Sequence, residues 1–503
     1  MRIALVRTPV VHLSADLYGS IPGIPSGIAY LAASVRARGH EVSIVDGYGE
    51  RPHDFYRFRS RYTARGLTPA GISGRIDPST PVAGVSVHCA GEHSMACEIL
   101  AAVKAGHPGI VTVVGGYHAT FVPEAFIAAG ADYVVMGEGE ERLPRLLDAL
   151  ERGENPDGQD GLASARGISP RSAGPVELEH QPFGAVDLLP LENYWRLRYG
   201  HGPFAGKYMN IVTSRGCPYK CSFCQAPLMS GGKWTSRSAA KVVEEMEWHN
   251  RLWGLTDFHI QDENFAIDRD RAVSICRMLA GHDPGFTFCF PSGLKMETLD
   301  DELLELLAKA GCRYISLSPE TGSPRVLALM NKVADIDRVP HLFRKASSLG
   351  MKTCAFMATG YPGETPADRR MTRRYVGRLA SSGADEVVMP VVTPFPATPA
   401  MEEEALKGFR EYDELCFSPV WRPDYRRLDA YRWTVYAVFY ATRLVRRPGA
   451  VLAQAVRLLE GRFGTKTEMT VYRKLRDLPD HIAAILAGRM RRGHDGPAAP
   501  RDT

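Results

Sequence analysis

The sequence predicts an α/β protein with two successive parallel-sheet units and a mainly helical C-terminal segment. Three observations carry this prediction: strands alternate with helices over residues 1–150, a second such series covers residues 206–404, and residues 405–503 show helical spacing. We expect a doubly wound, Rossmann-like parallel sheet and then a partial (β/α)6 barrel. A chain of 503 residues is too long for one ordinary core.

The first unit alternates short β-branched runs with helical patterns. Helices are predicted at Ser26–Arg38 and Glu92–Ala105. The predicted strands are Ile3–Val6, Glu41–Val45, Val82–Val87, Ile110–Val114 and Tyr133–Met136. Ligands of such sheets bind at the carboxyl ends of strands, where the direction of the connections reverses. We therefore expect a ligand site at that edge.

Residues 151–205 change to Gly, Pro, Ser, Asp and Arg, which predicts a linker with at most a short hairpin. A new βα series begins near residue 206. Its predicted strands are Tyr208–Thr213, Asp257–Gln261, Thr287–Pro291, Tyr314–Ser318, Lys352–Thr359 and Glu386–Val392. Its predicted helices include Ala239–Leu252, Asp300–Ala310 and Asp337–Leu349. Catalytic groups of parallel barrels gather at the carboxyl ends of the strands, so we expect the chemistry there.

The C-terminal segment carries aromatic and basic residues at helical spacing. They are Tyr431, Trp433, Tyr436, Phe439, Tyr440, Arg443, Arg446 and Arg447. A basic amphipathic helix can lie on a membrane surface, but helices that cover a barrel mouth show the same stripe, and we favour packing. Residues 489–503 are charged and rich in Gly and Pro, which predicts a frayed tail.

Composition narrows the functional classes. The chain is 45% apolar and 23% charged, so it can bury large cores, and its net charge of +4 gives no indication of nucleic-acid binding. No uncharged apolar run is long enough for a membrane span. The N-terminus is predicted to be a strand rather than a signal peptide, and ten scattered cysteines fit a reducing compartment, so we expect a cytoplasmic protein. Cys276, Cys289, Cys312 and Cys354 lie in apolar contexts and are expected in the core.

Three cysteines after the first barrel strand form the most specific motif. Cys217, Cys221 and Cys224 have the spacing C-x3-C-x2-C. Three thiolates can bind three of the four irons of a [4Fe–4S] cluster and leave one iron open to a small molecule. Zinc is the alternative, but a tetrahedral zinc site normally has four protein ligands and no second pair follows at zinc-finger distance.

The segment R-G-C-P-Y-K-C-S-F-C resembles the cluster loop of the radical S-adenosylmethionine (SAM) superfamily. The resemblance implies that the open iron binds the amino and carboxylate groups of SAM. It also implies that several residues at the other strand ends contact SAM, namely Asp262, Glu263, Ser318, Glu320 and Gly363. The ordinary alternatives are that such an acid is a helix cap and that Glu320 pairs with Lys332.

Glycine-rich turns follow two strands of the first unit. They contain Gly115, Gly116 and His118 in G-G-Y-H-A-T, and Gly137 in G-E-G-E. Together with Pro25–Ala33 they resemble the cobalamin-binding domain that precedes many radical SAM barrels. The resemblance implies that these residues bind cobalamin. The motif D-x-H-x-x-G, whose histidine holds cobalt from below, has no match here, and an α/β domain that binds nothing is the alternative.

The resemblance implies an enzyme that uses a [4Fe–4S] cluster, SAM and cobalamin to methylate an unactivated carbon, or phosphorus, of a small molecule through a 5′-deoxyadenosyl radical. It also implies a reductant such as flavodoxin or ferredoxin. A radical SAM cyclase or rearrangement enzyme of the same architecture is the alternative. Two other classes stay open from the residues alone: a non-catalytic cobalamin or redox sensor, and a zinc-stabilised interaction module.

Overall fold

The computed structural model describes residues 1–13, 23–172, 174–203 and 206–486, with side chains described up to residue 479. Its N-terminal part contains ten strands. They are β1 (Arg2–Arg7), β2 (Val10–Leu13), β3 (Glu41–Asp46), β4 (Phe55–Phe58), β5 (Tyr62–Arg65), β6 (Val82–Ser86), β7 (Val111–Gly115), β8 (Tyr133–Val135), β9 (Leu162–Ser164) and β10 (Gly167–Ile168).

Seven helices accompany these strands. They are α1 (Ser26–Ala37), α2 (Pro69–Ser73), α3 (His93–Gly106), α4 (Tyr117–Phe121), α5 (Pro123–Ala128), α6 (Gly139–Glu151) and α7 (Leu191–Leu197). The buried faces of α1 and α3, such as Ile28 and Ile99, pack against the sheet. Burial of these apolar faces holds the helices on the sheet.

The main N-terminal sheet has the strand order β10-β9-β8-β7-β6-β1-β3. Strands β3, β1, β6, β7 and β8 pair in parallel, whereas β9 and β10 are antiparallel. The chain runs from β1 outward to β3 and then crosses to β6 on the other side of β1, so the connection direction reverses between β1 and β6. This is the ligand-binding crevice of doubly wound sheets.

The sheet is larger than the sequence predicted. The hairpin β9–β10 joins it, so part of the predicted linker 151–205 belongs to the N-terminal sheet. A separate antiparallel sheet, β2-β5-β4, was also missed. These strands have two to four residues, too few for a period-two pattern to stand out from the loops around them.

The second unit contains eight strands. They are β11 (Met209–Ile211), β12 (Ser214–Arg215), β13 (Thr235–Ser236), β14 (Asp257–Ile260), β15 (Thr287–Leu294), β16 (Cys312–Glu320), β17 (Lys352–Met357) and β18 (Glu386–Val388). The order β11-β14-β15-β16-β17-β18 is parallel throughout, which confirms the predicted six-stranded partial barrel. Strands β12 and β13 form a small antiparallel pair.

The remaining helices surround the barrel and form the C-terminal segment. They are α8 (Ala226–Ser230), α9 (Ala239–Trp253), α10 (Arg269–Ala280), α11 (Asp301–Lys309), α12 (Pro324–Leu329), α13 (Val339–Ser348), α14 (Pro366–Ser381), α15 (Tyr425–Arg446), α16 (Pro448–Leu459) and α17 (Lys466–Leu486). The first residues of α17 enter the barrel. Glu386 accepts hydrogen bonds from the backbone N–H groups of Lys466 (3.1 Å) and Thr467 (2.7 Å).

The side chain of Lys466 lies inside the barrel. Its ammonium donates to the Pro291 carbonyl oxygen at 2.5 Å and lies 4.6 Å from the ring centroid of Phe356. Interior residues Cys289, Tyr314 and Cys354 form a buried cluster on three neighbouring strands beside it. Burial lowers the pKa of Lys466. Lys466 therefore occupies the interior of the barrel at the level of this cluster.

The aromatic stripe of α15 is divided between core and surface. Val435 and Phe439 are fully buried, whereas Trp433 and Tyr440 are exposed. The helix therefore packs on the barrel through one face, as favoured from the sequence. Among the described helices, none is long and apolar enough to cross a membrane. Cys276, Cys289, Cys312 and Cys354 are buried, as expected, and the predicted tail lies outside the described residues.

Candidate active site

The cysteine loop starts at the carboxyl end of the first barrel strand and lies between β12 and β13. Cys217, Cys221 and Cys224 are half-buried and free of disulfides. Gly216 has a φ of +91°, and a Cβ there would overlap the Lys233 carbonyl oxygen. Only glycine fits this turn without strain, because the left-handed backbone and the close approach both exclude a side chain.

Contacts from the other strand ends fix the loop on the barrel. The Ser222 N–H donates to the Met330 carbonyl at 2.9 Å, and the Ser222 hydroxyl is 2.6 Å from the Tyr361 hydroxyl. The side-chain amide of Asn331 donates to the Lys220 carbonyl at 2.7 Å. These bonds hold the loop while its thiols stay accessible, which is what ligation of a cluster needs.

The electrostatics of the loop suit an anionic group. Burial raises the pKa of all three thiols, that of Cys224 to about 12, so a metal is needed to keep them ionised. Burial acts to lower the pKa of Lys332, but Glu320, Cys221 and Cys224 raise it above its usual value. Lys332 therefore provides a stable positive charge beside the thiols.

In the described residues, no group of three or more His, Cys, Asp or Glu side chains has the geometry of a single-ion site. Each cysteine of a cluster site binds a different iron, so the three sulfurs need not converge on one point. The residues present thus fit a cluster, and the assignment of Cys217, Cys221 and Cys224 as its ligands stays a prediction.

Asp262 lies under the loop rather than on its open side. It is buried, and its carboxylate accepts from the Thr213 N–H (2.7 Å), the Thr213 hydroxyl (2.5 Å) and the Ser214 hydroxyl (2.6 Å). These bonds join the ends of β11 and β14. The structure thus gives Asp262 a supporting role, and its predicted contact with SAM stays a prediction that these bonds do not favour.

Glu263 connects the two units. One carboxylate oxygen accepts from the backbone N–H of Gly216 at 3.1 Å, and the other accepts from the Tyr117 hydroxyl at 2.9 Å. Glu263 also lines the large cavity described below. The sequence marked this residue as a SAM contact, but it gave no sign of the link to Tyr117, because only the fold brings the two together.

The remaining predicted SAM contacts lie at neighbouring strand ends. Ser318 and Glu320 end β16, and Glu320 has the left-handed φ of +62° that marks local strain. Glu320 pairs with Lys332 at 2.6 Å, which was the alternative considered from the sequence. Gly363 follows β17, and its carbonyl accepts from Arg325 at 2.6 Å. Ser318, Glu320 and Gly363 stay predicted SAM contacts. The Glu320 carboxylate already forms an ion pair with Lys332.

A cavity of about 810 Å³ lies between the N-terminal sheet and the barrel. The sheet contributes the glycine turns with Gly115, Gly116 and Gly137, and the barrel contributes Arg215, Gln261 and Glu263 among other residues. Gly116 has a φ of +108°, and a Cβ there would lie 2.5 Å from the Val87 carbonyl oxygen. A glycine-lined sheet edge facing an open cavity fits a large flat cofactor such as cobalamin.

His118, which is predicted to bind cobalamin, lies in the wall of this cavity. It is buried and packs with Phe126 and Tyr412, and its Nε2 lies 3.1 Å from Nδ1 of His93. Burial lowers the pKa of His118 to about 3, so its imidazole is neutral. Its ring thus packs against these neighbours although the residue lines the cavity, and a direct contact with cobalamin stays a prediction.

Arg215 is the most informative residue that the sequence did not single out as a site residue. Its guanidinium lies 2.6 Å from Glu140 and 3.5 Å from Glu138, and all three side chains are largely buried. Burial raises the pKa of Glu138 to about 7. Both acids belong to G-E-G-E and Arg215 to R-G-C, so the two motifs meet at one ion-pair cluster. Only a covarying pair in related sequences could have signalled this contact.

Comparisons with known proteins agree with this geometry. A family model described as Radical SAM superfamily matches residues 211–376, and one described as B12 binding domain matches residues 21–147. An uncharacterized methyltransferase of Pyrococcus horikoshii is 27% identical over 79% of this chain and 82% of its own. The cytidylyl-2-hydroxyethylphosphonate methyltransferase of Streptomyces wedmorensis is 28% identical over 78% of this chain and 80% of its own.

The chain is also similar to a relative that is not named as a methyltransferase. The anaerobic magnesium-protoporphyrin IX monomethyl ester cyclase of Rubrivivax gelatinosus is 25% identical over 84% of this chain and 74% of its own. Among solved structures, the radical SAM methyltransferase TsrM from Kitasatospora setae, with cobalamin and a [4Fe–4S] cluster bound, superposes with a TM-score of 0.64. It is 22% identical and the match covers 82% of this chain and 79% of TsrM, so it shows a shared fold.

The chain is therefore a cobalamin-dependent radical SAM enzyme, with a B12-binding domain ahead of a radical SAM barrel. Its cofactors are a [4Fe–4S] cluster, SAM and cobalamin, as the sequence predicted. The predicted fold class is confirmed as well, including the helical C-terminal segment.

Proposed function

We propose that the protein transfers a methyl group to an unactivated carbon, or to phosphorus, of a small-molecule substrate. The observation that carries this proposal is the shared cavity, which is bounded by the glycine turns of the B12-binding domain on one side and by the start of the cysteine loop on the other. A substrate in this cavity can reach both cofactors. Such proximity is what a reaction combining the two requires.

When bound, the cluster and SAM supply reductive cleavage of a carbon–sulfur bond, and cobalamin supplies a transferable methyl group. The residues of the chain itself would bind the cofactors and the substrate and orient them. Cys217, Cys221 and Cys224 would hold three irons, while Lys332 supplies positive charge beside them. Glu263 joins the loop to Tyr117 in the other domain. Bound cofactors and substrate that fill this cavity would keep water from reactive species.

The substrate would lie next to a group of polar side chains on the barrel side of the cavity. His201, Gln261 and Ser292 are hydrogen-bonded to one another there, with distances of 2.8 and 3.2 Å to the Gln261 carbonyl oxygen. Burial lowers the pKa of His201 to about 3, with a further contribution from Lys466. The group is thus uncharged at neutral pH and suits hydrogen-bonding functions on the substrate.

A small acidic electron carrier such as flavodoxin or ferredoxin is the proposed reductant, and the cytoplasm is the proposed location. Lys220 of the cysteine loop is exposed, and Lys295 and Lys332 lie near the thiols. This local positive charge is complementary to an acidic protein surface.

The test uses anaerobically reconstituted protein with reductant, and follows the two adenosyl products of SAM separately. Methyl donation gives S-adenosylhomocysteine, whereas reductive cleavage gives 5′-deoxyadenosine. We expect both products from protein loaded with cobalamin, and only 5′-deoxyadenosine from protein loaded with the cluster alone. Incubation with deuterated-methyl SAM and a cell extract then identifies the substrate by the label it acquires.

The cyclase alternative gives a different result in the same experiment. A cyclase forms 5′-deoxyadenosine without cobalamin-dependent S-adenosylhomocysteine, and no metabolite acquires the labelled methyl group. That outcome would contradict methyl transfer while leaving the radical SAM assignment in place. A sensor would form neither product.

A further inference from the structure

A chain of hydrogen bonds runs along the barrel side of the cavity and starts on the backbone. The side-chain amide nitrogen of Asn210 donates to the Ile24 carbonyl at 2.7 Å. The side-chain amide nitrogen of Gln261 donates to the amide oxygen of Asn210 at 3.1 Å. The amide oxygen of Gln261 lies 2.8 Å from Nδ1 of His201 and 3.2 Å from the Ser292 hydroxyl. All five residues line the cavity.

The backbone carbonyl at the start of this chain decides the direction of every bond in it. A carbonyl oxygen can only accept, so the Asn210 amide turns its nitrogen to Ile24 and its oxygen to Gln261. Gln261 therefore donates to Asn210, which leaves its own amide oxygen for His201 and Ser292. That oxygen also can only accept, so Nδ1 of His201 carries a hydrogen. The network thus assigns the tautomer of the imidazole ring.

The other ring nitrogen of His201, Nε2, carries a lone pair and no hydrogen. Burial, with a contribution from the ammonium of Lys466, lowers the pKa of His201 to about 3, so the ring is neutral at physiological pH and has one N–H. Within the described residues, Nε2 has no hydrogen-bond partner, and it does not belong to the fully buried polar atoms that lack one. Because His201 lines the cavity, this lone pair is accessible from it.

The group that fixes the lone pair lies at the edge of the barrel where chemistry is expected. Gln261 directly follows β14, and Ser292 lies near the end of β15. Catalytic groups of parallel barrels gather at these carboxyl ends. Asn210 of β11 is buried, so the network is anchored in the core. An acceptor that is fixed before the substrate arrives binds a donor with little loss of conformational freedom.

We propose that His201 determines substrate specificity, because its Nε2 accepts a hydrogen bond from an O–H or N–H group of the substrate. Gln261 is a positioning residue that holds the ring in the tautomer with a free lone pair. The substrate class is small molecules that carry a hydroxyl or an N–H group. An analogue with methyl in place of that hydrogen cannot donate and leaves Nε2 desolvated and unpaired. The proposal rests on the proposed function in that the substrate occupies this cavity.

The first measurement needs no substrate. The protein is grown with histidine labelled by the heavy nitrogen isotope and loaded with oxidised cluster and hydroxocobalamin. Nitrogen NMR separates a ring nitrogen that carries hydrogen from one with a bare lone pair, and His201→Phe identifies the signals of His201. We expect hydrogen on Nδ1 in the wild type and a mixture of tautomers in Gln261→Leu. Hydrogen on Nε2 in the wild type would overturn the proposal, and an unchanged tautomer in Gln261→Leu would remove the positioning role.

The second measurement uses the metabolite that acquires the labelled methyl group, and analogues in which each O–H or N–H hydrogen of it is replaced by methyl. We expect the wild type to prefer the metabolite over one of these analogues by about tenfold in kcat/KM. His201→Phe is expected to lower kcat/KM for the metabolite by about tenfold, mainly through KM, and to abolish that preference. The control His341→Phe makes the same change at an exposed position outside the cavity and should alter neither value.

A metabolite without O–H or N–H groups, or a preference that persists in His201→Phe, would overturn the proposal. Iron and cobalamin per chain are measured first, and if His201→Phe does not hold both cofactors, Gln261→Leu takes its place, because loss of the tautomer must weaken the same preference. If no metabolite acquires the label, methyl transfer is contradicted. The comparison is then made with the metabolite that stimulates 5′-deoxyadenosine formation, so the two proposals fail separately.

Discussion

The guanidinium of Arg215 lies 2.6 Å from a carboxylate oxygen of Glu140, and this ion pair joins the cysteine loop to the B12-binding domain. Glu263 makes a second link nearby, between Gly216 and Tyr117. The two cofactor sites therefore share supporting residues. A change to one of these shared residues is expected to loosen both sites.

Replacing Arg215 by methionine is expected to destabilise the protein by about 3 kcal/mol, since Glu140 and Glu138 would be left buried without their cation. Denaturant unfolding measures this, and cobalamin and iron per chain should fall together. Arg166→Met is the control, because it removes an exposed pair with Asp157 and should cost less than about 1 kcal/mol. Retention of stability and of both cofactors in Arg215→Met would contradict the coupling.

Cys221→Ala is expected to abolish cluster assembly and SAM cleavage and to leave cobalamin bound, because its thiol belongs to the loop and not to the sheet edge. Iron, sulfide and cobalamin analyses after anaerobic reconstitution check this. Cys97→Ala in α3 serves as the control, since Cys97 is also half-buried and free but lies in the other domain. Full iron content in Cys221→Ala would contradict the assignment of Cys221 as a cluster ligand.

Gly216→Ala is expected to lower iron content strongly, because the new Cβ would overlap the Lys233 carbonyl at a φ of +91°. Gly232→Ala in the same loop is the matched control. Its φ is +70°, but no atom lies within 4 Å of the added Cβ. The left-handed backbone alone should therefore lower the free energy of unfolding by about 1–2 kcal/mol. Equal iron content in the two variants would show that the contact between the new Cβ and the Lys233 carbonyl does not affect cluster assembly.

The His93–His118 pair is expected to make the protein sensitive to acid. Burial lowers the folded pKa of His93 to about 4 and that of His118 to about 3, from an ordinary value of 6.5. At pH values between the folded pKa values and 6.5, the unfolded chain binds more protons than the folded chain. The free energy of unfolding therefore falls as the pH decreases below about 6.5. Denaturant unfolding at several pH values measures this slope.

The double variant His93→Gln, His118→Gln tests whether this pair causes the acid sensitivity. Its overall stability is expected to be lower, but its slope between pH 6.5 and 4 should be smaller than that of the wild type. An unchanged slope would mean that other groups dominate acid unfolding.

Regular alternation of strands and helices was enough to predict both parallel sheets, because each long strand and each amphipathic helix carries its own periodic signal. The hairpin β9–β10 and the sheet β2-β5-β4 carry too few residues for such a signal. The cysteine loop was predictable for another reason: all three thiols lie within eight residues of one another. Local chemistry could thus be inferred from the sequence alone.

Contacts between distant segments could not be inferred in this way. Arg215 and Glu140 are separated by 75 positions, and nothing near either one indicates its partner. Asp262 likewise follows a strand in the way a SAM contact would, but the fold turns its carboxylate to Thr213 and Ser214. Whether an acid at a strand end faces a ligand or a neighbouring strand depends on tertiary geometry.

The side chain of Lys466 leaves no passage along the inside of the barrel. Because the interior of the barrel is filled at the level of Cys289, Tyr314 and Cys354, a long molecule cannot thread through it along the strands. A bulky substrate is therefore expected to lie in the cavity between the two domains, which Lys466 does not line. A shorter side chain at this position is expected to leave a space in the barrel beside these three residues, so this single position is one at which the volume of the barrel interior could be changed.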